Sequence, residues 1–189
     1  TGSRVLGNPC LEGDELTYSS QQVKQSSIDK TRFVSAGRLH VQKDFETMIR
    51  AFSKYIINYQ RSKDTLSIFG EGPERQNIER LIKELNMEKN IKLLGFVDDL
   101  AQQLNHFDVF LMASKYEGFG NVFVLAMAAG LPIIARRNTG GPDDLINSNT
   151  GLLFEHEDSL VETLGGFRVR TYDPIVIKKN ASFYTIENI

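Results

Sequence analysis

Short apolar runs alternate with longer amphipathic segments through most of this chain, beginning near residue 32. Five of the runs are rich in Val, Ile, Leu and Phe, and they occupy residues 33–36, 66–69, 91–94, 109–113 and 133–135. Runs of this length that alternate with helical patterns are typical of βαβ units. The pattern therefore predicts an α/β fold class, a Rossmann-like doubly wound parallel sheet whose ligands bind beyond the carboxyl ends of the strands.

Four helices are predicted between these strands. Residues 44–58 carry apolar side chains at spacings of three and four, which places those side chains on one helical face. The second helix follows Gly72-Pro73, because proline suits the first turn of a helix, and its apolar face runs to Leu85. The third spans about residues 98–105, and the fourth spans about residues 121–129 and ends at Gly130.

The chain divides into three regions on this pattern. Residues 1–30 hold scattered apolar positions among Gly, Ser, Gln and charged residues, so we expect a linker segment there. Residues 31–164 form the predicted Rossmann-like domain. Residues 165–189 open with Gly165-Gly166 and continue to Asp173-Pro174, which predicts an irregular C-terminal segment before a terminal helix.

Charge and cysteine content restrict the classes of partner. The chain has 24 acidic and 22 basic residues, so no overall field attracts nucleic acid, and we expect no nucleic-acid partner. Cys10 is the only cysteine, which excludes an intrachain disulfide and fits a reducing cytoplasm. No apolar run approaches the roughly 20 residues that span a bilayer.

The loop after the first predicted strand, residues 37–43, places Arg38 and Lys43 at the carboxyl edge of the sheet just before a helix. An arginine offers a planar fork of donors, a lysine offers a mobile point charge, and a helix N-terminus is partly positive. Such a loop can clamp a diphosphate. For this loop taken alone, the alternative is a solvated loop with two surface cations.

The loop after the fourth predicted strand, residues 114–120, contains Glu117 and two glycines, and a helix follows at once. Gly118 and Gly120 let the backbone approach a ligand, and the amides at residues 121–123 face any anion in front of the helix. The Glu117 carboxylate can accept hydrogen bonds from sugar hydroxyls. For this motif alone, a glycine turn in which Glu117 only favours the helix dipole is the preferred alternative.

Other motifs exclude several chemistries. Residues 70–73, Gly-Glu-Gly-Pro, lack the Lys and Ser/Thr of a phosphate-binding loop and do not match the dinucleotide fingerprint, which disfavours ATP and NAD. His40, His106 and His156 have no partner at metal-ligand spacing, so we expect no metal. The turn at residues 95–97 could present backbone polar groups to a flat ring, although a plain turn is the preferred alternative.

Several blocks occur together in one order, which is far more specific than any one of them: Gly37-Arg38-Leu39 with Lys43-Asp44-Phe45, Gly70-Glu71-Gly72-Pro73, Gly95-Phe96-Val97, residues 114–120, residues 126–132 and Gly140-Gly141-Pro142. From about residue 8 to 158 the sequence resembles the C-terminal, donor-binding domain of GT-B-fold retaining glycosyltransferases, specifically glycosyltransferase family 4. The resemblance covers most of the chain.

The resemblance implies a role for individual residues of the donor site. Arg38 and Lys43 would hold the donor pyrophosphate beside Gly37, and Val97 would lie where the nucleobase meets the main chain. Glu117 would bind hydroxyls of the transferred sugar. The residues lining that sugar would be Gly118, Phe119 and Gly120, and those offering amides to the phosphates would be Asn121 and Val122.

The resemblance also implies a reaction and its partners. The donor would be a nucleotide-diphosphate sugar such as a UDP- or GDP-hexose, and the acceptor a glycan or lipid-linked acceptor, as in bacterial lipopolysaccharide or capsule assembly. Arg38, Lys43 and the helix dipole would stabilise the leaving diphosphate without a metal or other cofactor. A missing N-terminal domain would hold the acceptor, so we expect the isolated fragment to be inactive. The full enzyme could associate peripherally with a membrane.

One position departs from the family pattern. The family usually places a second glutamate eight positions after the first, where it binds the ribose, and this chain has Leu125 there. Leucine accepts no hydrogen bond, and such a loss costs about 0.5–3 kcal/mol. Either the ribose is held in another way, or the donor binds weakly, or this is a degenerate, non-catalytic interaction domain. A nucleotide-sugar epimerase or a phosphorylase-like enzyme is a further alternative, but the carboxylate pair or cofactor lysine that would favour it is not recognisable.

Overall fold

The computed structural model describes residues 30–117, 120–137 and 145–182. Six strands in these ranges form one sheet, in which every neighbouring pair is parallel. The strands are β1 Arg32–Ala36, β2 Thr65–Phe69, β3 Ile91–Gly95, β4 Val109–Met112, β5 Ile133–Arg136 and β6 Gly151–Phe154. Their order across the sheet is β3-β2-β1-β4-β5-β6. The order reverses between β1 and β4, which makes that junction the topological switch point.

The helices that accompany these strands are α1 Phe45–Asn58, α2 Arg75–Glu84, α3 Leu100–Leu104, α4 Asn121–Ala128, α5 Glu157–Gly166 and α6 Pro174–Ala181. Two short 3₁₀ turns are also present, Val41–Lys43 and Val169–Thr171. In the described ranges, no helix is long and apolar enough to cross a membrane.

Helices cover both faces of the sheet, and each face has its own core. Successive residues of β1 point in opposite directions, so Phe33 enters one core while Val34 and Ala36 enter the other. The first core includes the apolar faces of α1, α2 and α5, and the second includes those of α3, α4 and α6. This arrangement confirms the predicted doubly wound α/β fold.

The C-terminal third shows what the sequence pattern missed. The five predicted strands are present with small shifts at their ends, but β6 was not predicted, and neither was α5. The predicted division of the chain after residue 164 falls inside α5. The predicted terminal helix is present as α6, where the carboxylate of Asp173 accepts a hydrogen bond of 2.8 Å from the amide of Ile175.

The carboxyl edge of the sheet is tied together by backbone hydrogen bonds that extend the strand pairing into the loops. The amide of Gly37 donates to the carbonyl of Phe69 over 3.0 Å, and the amide of Gly70 donates to the carbonyl of Gly95 over 2.7 Å. A Cβ atom on Gly70 would overlap the carbonyl oxygen of Gly37, so only glycine allows this approach. The loops after β1, β2 and β3 therefore form one connected platform.

Candidate functional site

Lys43 and Glu117 meet at the switch point of the sheet. Lys43 ends the 3₁₀ turn after β1, and Glu117 follows β4, the strand that pairs with β1. The Lys43 Nζ atom lies 2.5 Å from the Glu117 Oε1 atom. The two side chains are only 18% and 9% exposed, so this ion pair is shielded from water on most sides. The structure thus brings together two residues that the sequence predicted on separate loops.

The Glu117 carboxylate is held by a second donor. The Ser114 hydroxyl, which is buried at the end of β4, donates to the same Oε1 atom over 2.6 Å. In the described ranges, no hydrogen bond reaches the other carboxylate oxygen, Oε2. One oxygen therefore fixes the carboxylate in place, and the other is able to accept a hydrogen bond from a ligand.

Two hydrogen bonds, one between backbone groups and one from a side chain, hold the two loops against each other beside the ion pair. The amide of Lys115 donates to the carbonyl of Gln42 over 2.9 Å. The side-chain amide of Gln42 donates to the carbonyl of Tyr116 over 3.0 Å. Because these bonds cross from the β1 loop to the β4 loop, the relative position of Lys43 and Glu117 is set by the backbone as well as by their own charges.

A second ion pair ties the same loop to β5. The Asp44 Oδ2 atom accepts from Arg136 Nη2 over 2.8 Å and from the Thr47 hydroxyl over 3.0 Å. The Arg136 guanidinium also lies over the ring of Phe154, 5.8 Å from its centre. Sequence reasoning missed this pair, because Asp44 and Arg136 lie far apart in the chain and no local motif connects them.

Arg38 is not part of this cluster of contacts. Its side chain is exposed, and within the described ranges it makes no ion pair or hydrogen bond. Its neighbour Gly37 lies beside the Lys43 side chain, since a Cβ atom built on Gly37 would be at an ordinary contact distance of 3.4 Å from Lys43 Cε. Of the two predicted phosphate-binding cations, Lys43 is therefore held in an ion pair and Arg38 is exposed.

The N-terminus of α4 lies immediately after the Glu117 loop. Gly120 occupies the N-cap with φ 71° and ψ 52°, and it has no side chain to cap the helix. The first-turn amides of a helix have no partner within the helix and carry a partial positive charge. Asn121 and Val122 contribute two of these amides. The predicted sugar-lining residues Gly118 and Phe119 lie outside the described residues.

Val97 lies further along the same edge, after β3. Its side chain is half-buried against the second core, and the adjacent Phe96 ring is 55% exposed. Since β2 and β1 separate β3 from β4, Val97 is placed along the platform and away from the Lys43–Glu117 pair.

Comparison with known proteins assigns the chain to a family. The sequence pattern of the family described as glycosyl transferases group 1 matches residues 30–165, which is well over half of the chain. The chain belongs to the group 1 glycosyltransferases. The matched region contains every element from β1 to β6 and most of α5, so the carboxyl edge described above is the edge of a glycosyltransferase domain.

Two curated relatives of this glycosyltransferase chain act in bacterial glycolipid or lipopolysaccharide synthesis, according to their names. It is 30% identical over 156 residues to the lipopolysaccharide core biosynthesis glycosyltransferase LpsE of Rhizobium meliloti, a match that covers 82% of this chain and 44% of the relative. It is 30% identical over 177 residues to the alpha-monoglucosyldiacylglycerol synthase of Acholeplasma laidlawii, covering 89% and 44%. The chain thus spans less than half of either relative.

Solved structures show that the fold is that of GT-B glycosyltransferases. The pneumococcal O-GlcNAc transferase GtfA, whose structure contains UDP and GlcNAc, superposes with a TM-score of 0.74 at 22% identity. That match covers 83% of this chain and 33% of GtfA. At this identity the comparison supports the fold, and the residue roles at the edge remain predictions.

Leu125, the departure from the family pattern, lies in α4 of this glycosyltransferase domain. It is 9% exposed and belongs to the second core, together with Phe123, Val124, Ala126 and Met127 of the same helix. A leucine here fills space between helix and sheet, and its side chain offers no polar atom to a ribose.

Metal-ligating side chains are not clustered in the described part of the domain. No group of three or more His, Cys, Asp and Glu side chains in those ranges is placed to hold a metal ion. The polar cluster at the opposite, amino edge is structural: buried Asp64 accepts from the Tyr55 hydroxyl over 2.7 Å and from Arg61 Nε over 2.9 Å. Burial there raises the pKa of Tyr55 well above its ordinary value, and the hydrogen bond to Asp64 adds to the effect.

Proposed function

We propose that this chain is the donor-binding domain of a retaining glycosyltransferase, which transfers a hexose from a nucleotide-diphosphate sugar to a glycan or glycolipid acceptor. The observation that carries the proposal is the Lys43–Glu117 pair at the switch point of a group 1 glycosyltransferase fold. That position is where doubly wound sheets bind their ligands. The pair supplies a cation for a phosphate and a carboxylate for sugar hydroxyls.

The diphosphate subsite consists of Lys43, Arg38 and the first turn of α4. Lys43 comes from the β1 side of the switch point and the α4 amides come from the β4 side, so a diphosphate between them is bound from two directions. Arg38 is exposed and has no partner to give up in the described ranges. Phosphate binding by these groups needs no metal ion.

The sugar subsite is built on Glu117. Lys43 and Ser114 both donate to Oε1, which orients the carboxylate, while Oε2 accepts from a hydroxyl of the hexose. A carboxylate fixed in this way binds with little loss of side-chain entropy. Donor binding thus combines a charge-based contact to the diphosphate with a directional contact to the sugar.

In the transfer step, the bond between the anomeric carbon and the diphosphate oxygen breaks, and the acceptor hydroxyl oxygen bonds to the same face of that carbon. The hydroxyl proton leaves with the nucleoside diphosphate. Negative charge grows on the departing phosphate oxygens, and Lys43, Arg38 and the α4 dipole stabilise that charge. No step requires a redox or metal cofactor.

The acceptor is proposed to bind to a part of the protein that this chain does not include. The chain spans 44% of each relative named above, and those relatives are named for lipopolysaccharide core and glycolipid synthesis. We therefore propose a cytoplasmic, membrane-peripheral enzyme of bacterial surface polysaccharide or lipopolysaccharide assembly. The isolated chain should bind the donor and should not transfer the sugar.

Calorimetric titration with UDP-glucose, GDP-mannose and ADP-glucose tests the proposal. We expect one of them to bind and Lys43→Met to weaken that binding about tenfold, since a charge-assisted contact is lost. Lys115→Met is the matched control, because Lys115 is exposed and contacts the neighbouring loop through its backbone amide. Wild-type affinity of Lys43→Met for the donor that binds would contradict the proposal.

A second candidate function, a non-catalytic domain that has lost donor binding, is favoured by the apolar, core-packed Leu125. It predicts no response to any of the three donors, even for a protein that carries the acceptor-binding part.

A further inference from the structure

We infer that Arg136 is a positioning residue for Lys43, acting through Asp44. Arg136 holds Asp44 in a left-handed backbone conformation, and that conformation directs the preceding residue, Lys43, toward Glu117 and the donor diphosphate. The inference rests on the proposed function, because it concerns the same diphosphate subsite.

The Arg136–Asp44 pair is well fixed. The Nη2 to Oδ2 distance is 2.8 Å, and the two side chains are 16% and 13% exposed. The guanidinium also contacts the face of the Phe154 ring at the end of β6. The Arg136 guanidinium therefore lies between the Asp44 carboxylate and the Phe154 ring.

Asp44 has a backbone conformation that needs support. Its φ of 48° and ψ of 45° lie in the left-handed region, which few residues other than glycine adopt, although aspartate and asparagine tolerate it best. Asp44 ends the 3₁₀ turn and is the N-cap of α1, yet its carboxylate makes no capping hydrogen bond. The carboxylate contacts Arg136 and the Thr47 hydroxyl instead. Asp44 is therefore held by a tertiary contact to Arg136 and a local one to the Thr47 hydroxyl, without a capping bond to a helix amide.

The two ion pairs tie one loop across three strands. Lys43 and Asp44 are adjacent, and their side chains reach different neighbours: Lys43 contacts Glu117 after β4, and Asp44 contacts Arg136 on β5. The strands β1, β4 and β5 are consecutive in the sheet. If Asp44 left the left-handed region, the course of the chain at Lys43 would change, and its ammonium group would move away from the switch point.

Arg136 also neutralises a charge that would compete with the ligand. Without Arg136, the Asp44 carboxylate would be an unpaired anion next to Lys43. It would then attract the Lys43 ammonium and repel a diphosphate. Both effects lower donor affinity without any contact between Arg136 and the ligand. The first acts through Lys43, and the second acts directly between Asp44 and the diphosphate.

Calorimetric titration of the 189-residue chain with UDP and GDP tests this inference. For the nucleotide that binds, Arg136→Gln should weaken binding about fivefold, and Arg136→Lys should weaken it less because the charge is kept. Arg137→Gln is the matched control, since the neighbouring Arg137 pairs with Glu155 at 3.7 Å and lies outside this cluster. Its affinity should equal that of the wild type.

The coupling with Lys43 separates positioning from a general structural effect. The double variant Lys43→Met/Arg136→Gln should bind only slightly more weakly than Lys43→Met alone, because the positioned group is already absent and only the repulsion by Asp44 remains. In addition, Asp44→Asn/Arg136→Gln should recover most of the affinity lost in Arg136→Gln, since asparagine tolerates the left-handed conformation and no charge is left unpaired. The thermal midpoint of each variant verifies that it is folded.

The outcomes that overturn the inference differ from those that overturn the proposed function. If Lys43→Met weakens binding and Arg136→Gln does not, the positioning role is wrong and the proposed site stands. If Arg136→Gln lowers nucleotide affinity by the same factor in the presence and absence of Lys43, Arg136 does not act through Lys43. If the unsubstituted chain binds neither UDP nor GDP and none of the three donor sugars, the proposed function and this inference both fail.

Discussion

The Nζ atom of Lys43 lies 2.5 Å from the Oε1 atom of Glu117, and these residues follow the two strands between which the strand order reverses. The cation proposed to bind the diphosphate is therefore paired with the carboxylate proposed to bind the sugar. A diphosphate has to share Lys43 with Glu117 or displace it. Glu117 should therefore weaken binding of the diphosphate and strengthen binding of the sugar.

Glu117→Gln should change the affinities for the free nucleotide and for the nucleotide-hexose in opposite directions. Free UDP or GDP, whichever the chain binds, should bind about two- to fivefold more tightly, because the variant releases Lys43 and removes a like charge near the phosphates. The matching nucleotide-hexose should bind several-fold more weakly, because glutamine is a poorer acceptor for sugar hydroxyls. Calorimetry on both ligands measures the ratio. Glu79→Gln, at an exposed position on α2, is the control and should leave both affinities unchanged. If Glu117→Gln leaves the ratio of the nucleotide-hexose affinity to the free-nucleotide affinity unchanged, Glu117 is not part of the sugar subsite.

Arg38→Gln should weaken binding without affecting the fold. Arg38 is exposed and makes no hydrogen bond or ion pair in the described ranges, so the free energy of unfolding should stay within about 0.5 kcal/mol of wild type. Affinity for the nucleoside diphosphate should fall about tenfold, while any binding of the phosphate-free nucleoside should not change. An equal loss of affinity for the nucleoside diphosphate and for the nucleoside would show that Arg38 does not contact the phosphates.

Gly70→Ala should damage the platform beneath the site. Gly70 has a φ of +134°, and a Cβ atom there would overlap the Gly37 carbonyl oxygen. We expect a loss of about 1–3 kcal/mol in the free energy of unfolding, together with weaker nucleotide binding, because the Gly37 loop carries Arg38 and Lys43. Gly166→Ala is the control, since nothing lies within 4 Å of its added Cβ atom. Chemical denaturation that shows equal stability for the two variants would contradict the close approach.

The fold could be predicted from the sequence because its signals are local. Five strands and four helices follow from apolar spacing within about 15 residues of one another, and the α/β alternation implies a parallel sheet. Strand β6 has only four residues, of which Leu152 is 38% exposed, so it gives no clear run. Helix α5 begins with a capping box in which His156 replaces the usual Ser or Thr, and the sequence pattern did not reveal it.

The site could be predicted only in part. The loops after β1 and β4 were expected at the same edge, because parallel strands end together at one side of the sheet. The pairing of Lys43 with Glu117 and of Asp44 with Arg136 depends on strand order and loop conformation, which no local pattern encodes. The roles of Arg38, Val97 and the α4 amides remain predictions, and Gly118 and Phe119 lie outside the described residues.

Leu125→Ala tests whether the departure from the family pattern is only a matter of packing. Leu125 is 9% exposed in the second core, so its truncation should lower the free energy of unfolding by about 2–4 kcal/mol. The folded variant should bind UDP or GDP within about twofold of the wild-type affinity, because leucine donates and accepts no hydrogen bond. A large loss of nucleotide affinity in the folded variant would show that this position contacts the nucleotide.

Tyr55 should make stability fall at alkaline pH. Its buried hydroxyl donates to Asp64 Oδ2 over 2.7 Å, and burial raises its pKa in the folded protein. The unfolded chain loses this proton above about pH 10, whereas the folded protein keeps it. The unfolded state is therefore favoured as the pH rises above 10, and the stabilisation present below pH 10 is lost progressively.

Tyr55→Phe should reduce the loss of stability at alkaline pH. At neutral pH it should lower the free energy of unfolding by about 1–3 kcal/mol, because Asp64 loses a buried hydrogen-bond donor. Urea denaturation at pH 7 and between pH 9.5 and about 11 measures both effects. Tyr116→Phe, at a 62% exposed position, is the control and should leave the pH dependence as in the wild type. Identical pH profiles for the wild type and Tyr55→Phe would contradict the burial argument.

The central claim is that the carboxyl edge at the β1–β4 junction binds a nucleotide-diphosphate sugar. Titration of the ¹⁵N-labelled chain with UDP-glucose or GDP-mannose, followed by amide chemical shifts, tests it most directly. We predict that the largest shifts occur at Lys43, Glu117, Asn121 and Val122. Shifts confined to the amino edge around Tyr55 and Arg61, or no shifts with either donor, would contradict the claim.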